Sequence, residues 1–85
     1  MNILHIIRKI DDHRALTTAL AHAKQHPTDL LLIQDAVLTR INDFPGHVYA
    51  CAEDVEARIR IGNYDEVDYN RIVQLIFEHD KVITW

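Results

Sequence analysis

The sequence predicts an α/β domain, a mostly parallel β-sheet with helices on both faces, and three observations carry that prediction. Short apolar runs of about five residues alternate along the chain with stretches whose apolar residues recur at helical spacing. One run, Leu30-Leu31-Leu32-Ile33, is continuously apolar, as a strand covered on both faces must be. The connections are short, and strand-helix-strand alternation with short connections builds parallel βαβ units.

Ile3 to Ile7 is interrupted only by His5 and stops at Arg8-Lys9, so its length favours a buried strand over a helix. Asp11-Asp12 then offers a helix N-cap before Ala15, Leu16, Ala19, Leu20 and Ala23, and Pro27 closes that helix. Asp29 to Gln34 reads as the second strand. Asp35 is placed to cap a short helix containing Val37, Leu38 and Ile41, and Pro45-Gly46 marks a turn.

His47 to Cys51 reads as the third strand. The helix after it runs through Val55 and Ala57, with Glu53 and Asp54 in its first turn, where the helix dipole favours acids. Gly62-Asn63 is a turn, Tyr64 to Val67 a fourth short strand, Tyr69 to Glu78 a helix and Lys81 to Trp85 a last strand.

The chain has 85 residues, so residues 1–85 are read as one domain with one modest core. With 48% apolar and 26% charged residues and only two glycines and two prolines, its composition is that of a globule, not of a disordered or fibrous chain. Cys51 is the single cysteine, which excludes an internal disulfide and suits a reducing compartment. The opening residues enter a strand directly, with no basic and apolar leader and no run approaching the ~20 residues that span a bilayer, so the expected location is cytoplasmic, without membrane attachment. A net charge of −4 with no basic cluster beyond Arg8-Lys9 argues against direct nucleic-acid binding, which depends on neutralised phosphates.

Parallel α/β sheets place their chemistry at the carboxyl ends of the strands, which singles out Arg8-Lys9, Gln34-Asp35 and Cys51-Ala52. The turn after the first strand lacks the glycines of a dinucleotide site and carries two acids that would repel a pyrophosphate, so no nucleotide cofactor is expected. His22 and His26 share a helix face, but no third ligand has suitable spacing. They read as solvated histidines at a helix end, and no metal is expected. His5 reads as a satisfied core or edge histidine, His79 as a surface residue, Tyr69 as a helix-start or interface aromatic, and Trp85 as a core plug or interface anchor.

Cys51 is the candidate with the most chemistry. A thiol between a strand and a helix feels the positive end of the helix dipole, which favours thiolate, while Glu53, Asp54 and Glu56 oppose it. A buried structural thiol is the competing reading. His47 cannot serve as its base within one strand, since four residues of about 3.3 Å each put it roughly 13 Å away. Asp35 is a site neighbour if the second and third strands are adjacent. Arg8, Lys9 and Arg40 outline a rival reading, a homo-oligomeric binding module for a small anion.

The order of several segments resembles the TusB/DsrH family: Ile3-Leu4-His5, Leu30 to Asp35, Val48-Tyr49-Ala50, Glu53-Asp54-Val55-Glu56-Ala57-Arg58, Val67-Asp68-Tyr69 and Trp85. The resemblance implies a DsrE-like three-layer sandwich. It also implies a heterohexamer with TusC/DsrF-like and TusD/DsrE-like subunits, which takes persulfide sulfur from a TusA-like donor and passes it to a TusE/DsrC-like acceptor. The outlet is 2-thiolation of the wobble uridine of certain tRNAs or, in the Dsr version, sulfur oxidation.

The chain departs from the family pattern at Ala36 and Ile59, where glycines are common, and in a shorter stretch between Arg58 and Val67. Where some DsrH chains have a first-helix cysteine, Leu20 stands here. Cys51 stands where typical TusB chains have leucine and where TusD/DsrE subunits carry the sulfur-accepting cysteine. The resemblance therefore makes Cys51 a candidate persulfide acceptor, a chemistry that needs no metal, nucleotide or second cysteine.

Overall fold

In a computed structural model of residues 1–85, five parallel strands form one sheet: β1 (Ile3–Ile7), β2 (Thr28–Leu32), β3 (Val48–Cys51), β4 (Asp65–Val67) and β5 (Lys81–Thr84), in the order β4-β3-β2-β1-β5. The helices are α1 (His13–Ala23), α2 (Ala52–Glu56) and α3 (Tyr69–Glu78), and a short 3-10 helix spans Gln34–Leu38.

Alternation along the strands sorts the core into two layers. Ile7, Leu30, Leu32 and Ala50 face Ala15 and Ala19 of α1, Ala36 and Val37 of the 3-10 helix, and Val55 of α2. The two alanines of α1 are fully buried, so the helix backbone lies close on the sheet. On the other face, Leu4, Leu31 and Val67 meet Leu75 of α3. The result is the three-layer arrangement expected, with Leu30, Leu31 and Leu32 of β2 apolar in succession because both faces of the strand are covered.

The helix ends follow local chemistry. The Asp12 carboxylate accepts from the Ala15 N–H at 3.2 Å, and Asp68 accepts from the Arg71 N–H at 2.8 Å, each satisfying an otherwise orphaned donor. The helix expected after β2 differs in kind and length. It is a 3-10 turn that ends at Leu38, short of Ile41, and Asp35 does not cap it. Gln34 adopts a left-handed backbone (φ 51°), the turn begins two residues early with Ile33 at the cap position, and the exposed Asp35 carboxylate pairs with Arg58 at 3.0 Å instead.

His79, expected at the surface, is inside. Its side chain is 6% exposed, Nδ1 faces the Leu75 carbonyl at 2.6 Å, and Nε2 faces Asp29 at 2.7 Å, which ties the end of α3 to β2. His22 is likewise not a free helix-end residue: its Nδ1 lies 3.0 Å from Nε2 of the fully buried His5. Trp85 packs against the α1-side core and donates its indole N–H to His5 Nδ1 at 2.9 Å, so His5 is a satisfied core histidine and Trp85 a core plug.

One buried polar atom has no partner, the Tyr64 hydroxyl, in a side chain that is 94% removed from solvent by its 6% exposure. An unsatisfied hydroxyl costs about 1–3 kcal/mol. Tyr64→Phe is therefore expected to raise stability by about 1 kcal/mol, or roughly 4–8 °C in Tm. A melting curve shifted downward instead would show that the hydroxyl is satisfied.

Candidate functional site

Cys51 ends β3 and is the N-cap residue of α2, half-buried, with a sulfur that makes no capping hydrogen bond to the helix. Its register partner on β4 is Val67. After Val67 the chain enters α3, so the starts of α2 and α3 lie side by side at the carboxyl edge of the sheet. Between them is a cleft of about 200 Å³ lined by Cys51, Ala52, Glu53, Val67, Asp68, Tyr69 and Ile72. Its walls are largely apolar, its mouth carries two acids, and no lysine, arginine or histidine lines it. Tyr69 is 75% exposed at the rim.

Burial pushes the Cys51 thiol up from its ordinary value. The Asp54 carboxylate beside the sulfur pushes in the same direction, while the backbone N–H groups of Asp54 and Glu53 pull the other way. The pull of the helix start loses because α2 has only five residues and carries two acids in its first turn. Burial and the Asp54 charge thus act against thiolate formation in the isolated chain, and no lysine, arginine or histidine among the lining residues offsets them.

Asp54 itself is held from several sides. Its Oδ2 accepts the Gln34 N–H at 2.8 Å, its Oδ1 lies 3.6 Å from Arg58 Nη1, and Arg58 also donates to the Asp54 carbonyl at 3.2 Å. The other edge of the guanidinium holds Asp35. Asp35 is thus connected to Cys51, but only through Arg58 and Asp54.

Arg8 and Lys9 are not part of this cleft. They follow β1, which β2 separates from β3, so two strand spacings of about 4.8 Å each stand between them and Cys51. Arg8 donates to the Trp85 carbonyl at 2.6 Å, which gives it a structural contact beside β5.

Sequence reasoning located Cys51, Ala52 and the acids of the helix that follows, and missed the β4 and α3 side of the cleft. Ile72 and Val67 join it through the β3-β4 pairing, which spacing alone does not reveal. Asp54 was legible as a first-turn acid, and an acid three residues after a cysteine at a helix N-cap was the available signal.

A family model described as DsrH like protein matches residues 11–82, a span that contains Asp35, Cys51 and Asp54 and leaves out Arg8 and Lys9. A search of curated proteins found no match.

Proposed function

Since the chain belongs to the DsrH family and is on that ground a sulfur-relay subunit that works with DsrE- and DsrF-like partners, we propose that Cys51 is a persulfide station in the relay and that the sulfur is bound for tRNA. The observation that carries this reading is the position of Cys51. It is a lone thiol at the carboxyl end of a parallel strand, in an open cleft wide enough for a sulfur-bearing side chain of another protein.

The chemistry is a thiol exchange with no net oxidation. The Cys51 thiolate attacks the outer sulfur of a persulfide on a TusA-like donor, and the donor's S–S bond breaks. The donor cysteine leaves as thiolate and takes up the proton that Cys51 released, while Cys51 becomes Cys–S–SH. A thiolate on a TusE/DsrC-like acceptor repeats the step and restores Cys51.

Assembly with TusC/DsrF-like and TusD/DsrE-like subunits in a heterohexamer is supported by apolar side chains left uncovered on the single chain. Tyr69 and Phe77 of α3 are 75% and 84% exposed, and Ile59, in the connection after α2, is 72% exposed. The tRNA outlet, 2-thiolation of the wobble uridine, is favoured over sulfur oxidation by Leu20, which stands where some DsrH chains have a cysteine. The chain works without direct nucleic-acid contact, in keeping with its charge of −4, and in the cytoplasm, where a lone thiol stays reduced. No helix is long and apolar enough to cross a membrane.

Cells whose only copy carries Cys51→Ser provide the test, with the 2-thiouridine content of their tRNA measured by nucleoside mass spectrometry. The reading expects 2-thiolation to fall to the level of cells lacking the chain, while the variant still co-purifies with its partner subunits. Full 2-thiolation in the variant would assign the sulfur chemistry to the partners alone.

A further inference from the structure

The two edges of the sheet are built differently. β4 is short, and its exposed Asp65 and Glu66 place charge along that edge, with Glu66 in an ion pair with Arg60. Short, charged edges are a common protection against pairing with other chains. β5 closes the other side of the sheet with Lys81-Val82-Ile83-Thr84, one charge followed by three β-branched residues, and its only strand partner is β1. That run suits a strand and does little to protect an edge.

The hydrogen bonds to β1 fix which backbone groups of β5 remain unused. The N–H groups of Lys81 and Trp85 donate to the carbonyls of Asn2 and Ile6 at 3.1 and 2.9 Å, in line with a register that sets Ile83 beside His5. Backbone groups alternate in direction along a strand, so Lys81, Ile83 and Trp85 turn theirs towards β1, and Val82 and Thr84 turn theirs outward. The outer edge therefore offers two N–H donors and two carbonyl acceptors. Between them is Ile83, half-buried and packed into neither half of the core.

This pattern is complementary to itself. We propose that β5 pairs antiparallel with β5 of a second copy about a twofold axis, joining the two sheets edge to edge. In an antiparallel pair, residues that exchange both bonds stand directly opposite each other. Setting Val82 against Thr84 of the second copy, and Thr84 against its Val82, uses every outward group of both chains. Setting Val82 against its own counterpart leaves Thr84 facing Asp80, whose N–H is already spent on the Asn2 carbonyl. In the favoured register the two Ile83 side chains meet across the axis on the face that carries α1. The two Lys81 side chains are four residues apart along the strands, roughly 13 Å, so like charges do not oppose each other. A head-to-tail contact of β5 with β4 of another copy would meet Asp65 and Glu66 and would not close on itself. One short strand makes a small interface, which gives a weak dimer that forms at high micromolar concentration. The contact uses neither Cys51 nor α3, so it stands or falls apart from the relay reading.

Cysteine cross-linking reads the register. In a Cys51→Ser chain, Ile83→Cys puts two thiols opposite each other at a non-hydrogen-bonded pair, with Cα atoms about 4.5 Å apart and within disulfide reach. Thr84→Cys puts them on a diagonal of roughly 8 Å, beyond that reach. Mild oxidation is expected to convert Ile83→Cys to a disulfide-linked dimer on a non-reducing gel and to leave Thr84→Cys monomeric. Sedimentation equilibrium of the otherwise wild-type chain under reductant is the second measurement. Val82→Pro removes an outward N–H and no bond to β1, so it is expected to halve the mass seen at high concentration.

Equal cross-linking of the two cysteine variants, or a wild-type chain that stays monomeric at every concentration, would overturn the proposal. A dimer that survives Val82→Pro would do so too, by placing the contact elsewhere. If Val82→Pro loses its circular dichroism spectrum, the contrast between Ile83→Cys and Thr84→Cys decides the matter alone.

Discussion

Acidification from pH 6.5 to 4 is expected to cost the protein about 3 kcal/mol through His5 alone. His5 is fully buried, and its value is lowered from 6.5 to about 4, first by burial and then by the nearby charges of His22 and Lys81. Its hydrogen bonds explain why the neutral ring fits. The indole N–H of Trp85 can only donate, so His5 Nδ1 must accept, and the ring proton sits on Nε2, directed at His22 Nδ1. A second proton would force two donors against each other at Trp85. Because the folded value lies below the unfolded one, the unfolded chain takes up the proton first. The stabilisation is complete above about pH 6.5 and is lost as pH falls towards about 4.

Urea denaturation at pH 7 and pH 4 tests this, with His5→Gln as the comparison. Glutamine can accept from Trp85 and donate to His22 but does not titrate. The variant is expected to lose about 3 kcal/mol less than the wild type between the two pH values. Equal losses would show that His5 is not the group responsible.

Gly46→Ala is expected to be as damaging at neutral pH. A β-carbon built on Gly46 falls inside the van der Waals contact of the Thr28 carbonyl oxygen, with the Thr28 carbonyl carbon at 2.9 Å and Asp29 Oδ1 at 3.1 Å. The obstacle is backbone, and that backbone is fixed. The Leu30 N–H donates to the His47 carbonyl at 2.9 Å and the His47 N–H to Asp29 at 2.9 Å, so β2 and the entry to β3 cannot separate without losing ladder bonds. Relief by a backbone shift costs about 3 kcal/mol, or roughly 12–24 °C in Tm for a domain of this size. Thermal melts of the variant measure it, and a shift of only a few degrees would mean that the turn relaxes freely.

Much of the architecture was legible because the chain writes its two periods plainly. The apolar run Ile3 to Ile7 and the unbroken Leu30-Leu31-Leu32-Ile33 mark strands, and the spacing of Ala15, Ala19 and Ile72, Leu75 marks helices, within a residue or two of the observed ends except at α1, which stops at Ala23 and leaves His26, expected on its last turn beside His22, outside the helix. What escaped depended on conformation or on distant partners. Nothing in the letters of Gln34 announces a left-handed backbone, so Asp35 read as a cap when it is an arginine partner. His79 read as a surface residue because its partner Asp29 is 50 positions away, across a strand order that the sequence does not state.

The site divides in the same way. Cys51 stood out by its place at a strand end, and its resemblance to a paralogue's sulfur-accepting position raised a chemical question. The cleft, by contrast, comes from the pairing of β3 with β4, which brings Val67, Tyr69 and Ile72 to the thiol. The opposing pulls of the helix start and of the acids were legible too, but the burial that pushes the thiol up depends on the fold. Arg8 and Lys9 satisfied the rule for strand ends but belong to a different strand end, where Arg8 holds the Trp85 carbonyl.

The central claim, that Cys51 carries sulfur, is tested most directly by intact-protein mass spectrometry of the purified chain after incubation with a cysteine desulfurase, cysteine and a TusA-like carrier, beside Cys51→Ser. A gain of one sulfur atom that a reductant reverses and the variant lacks is the predicted result. No gain from a donor shown to be loaded, or the same gain in Cys51→Ser, would contradict it.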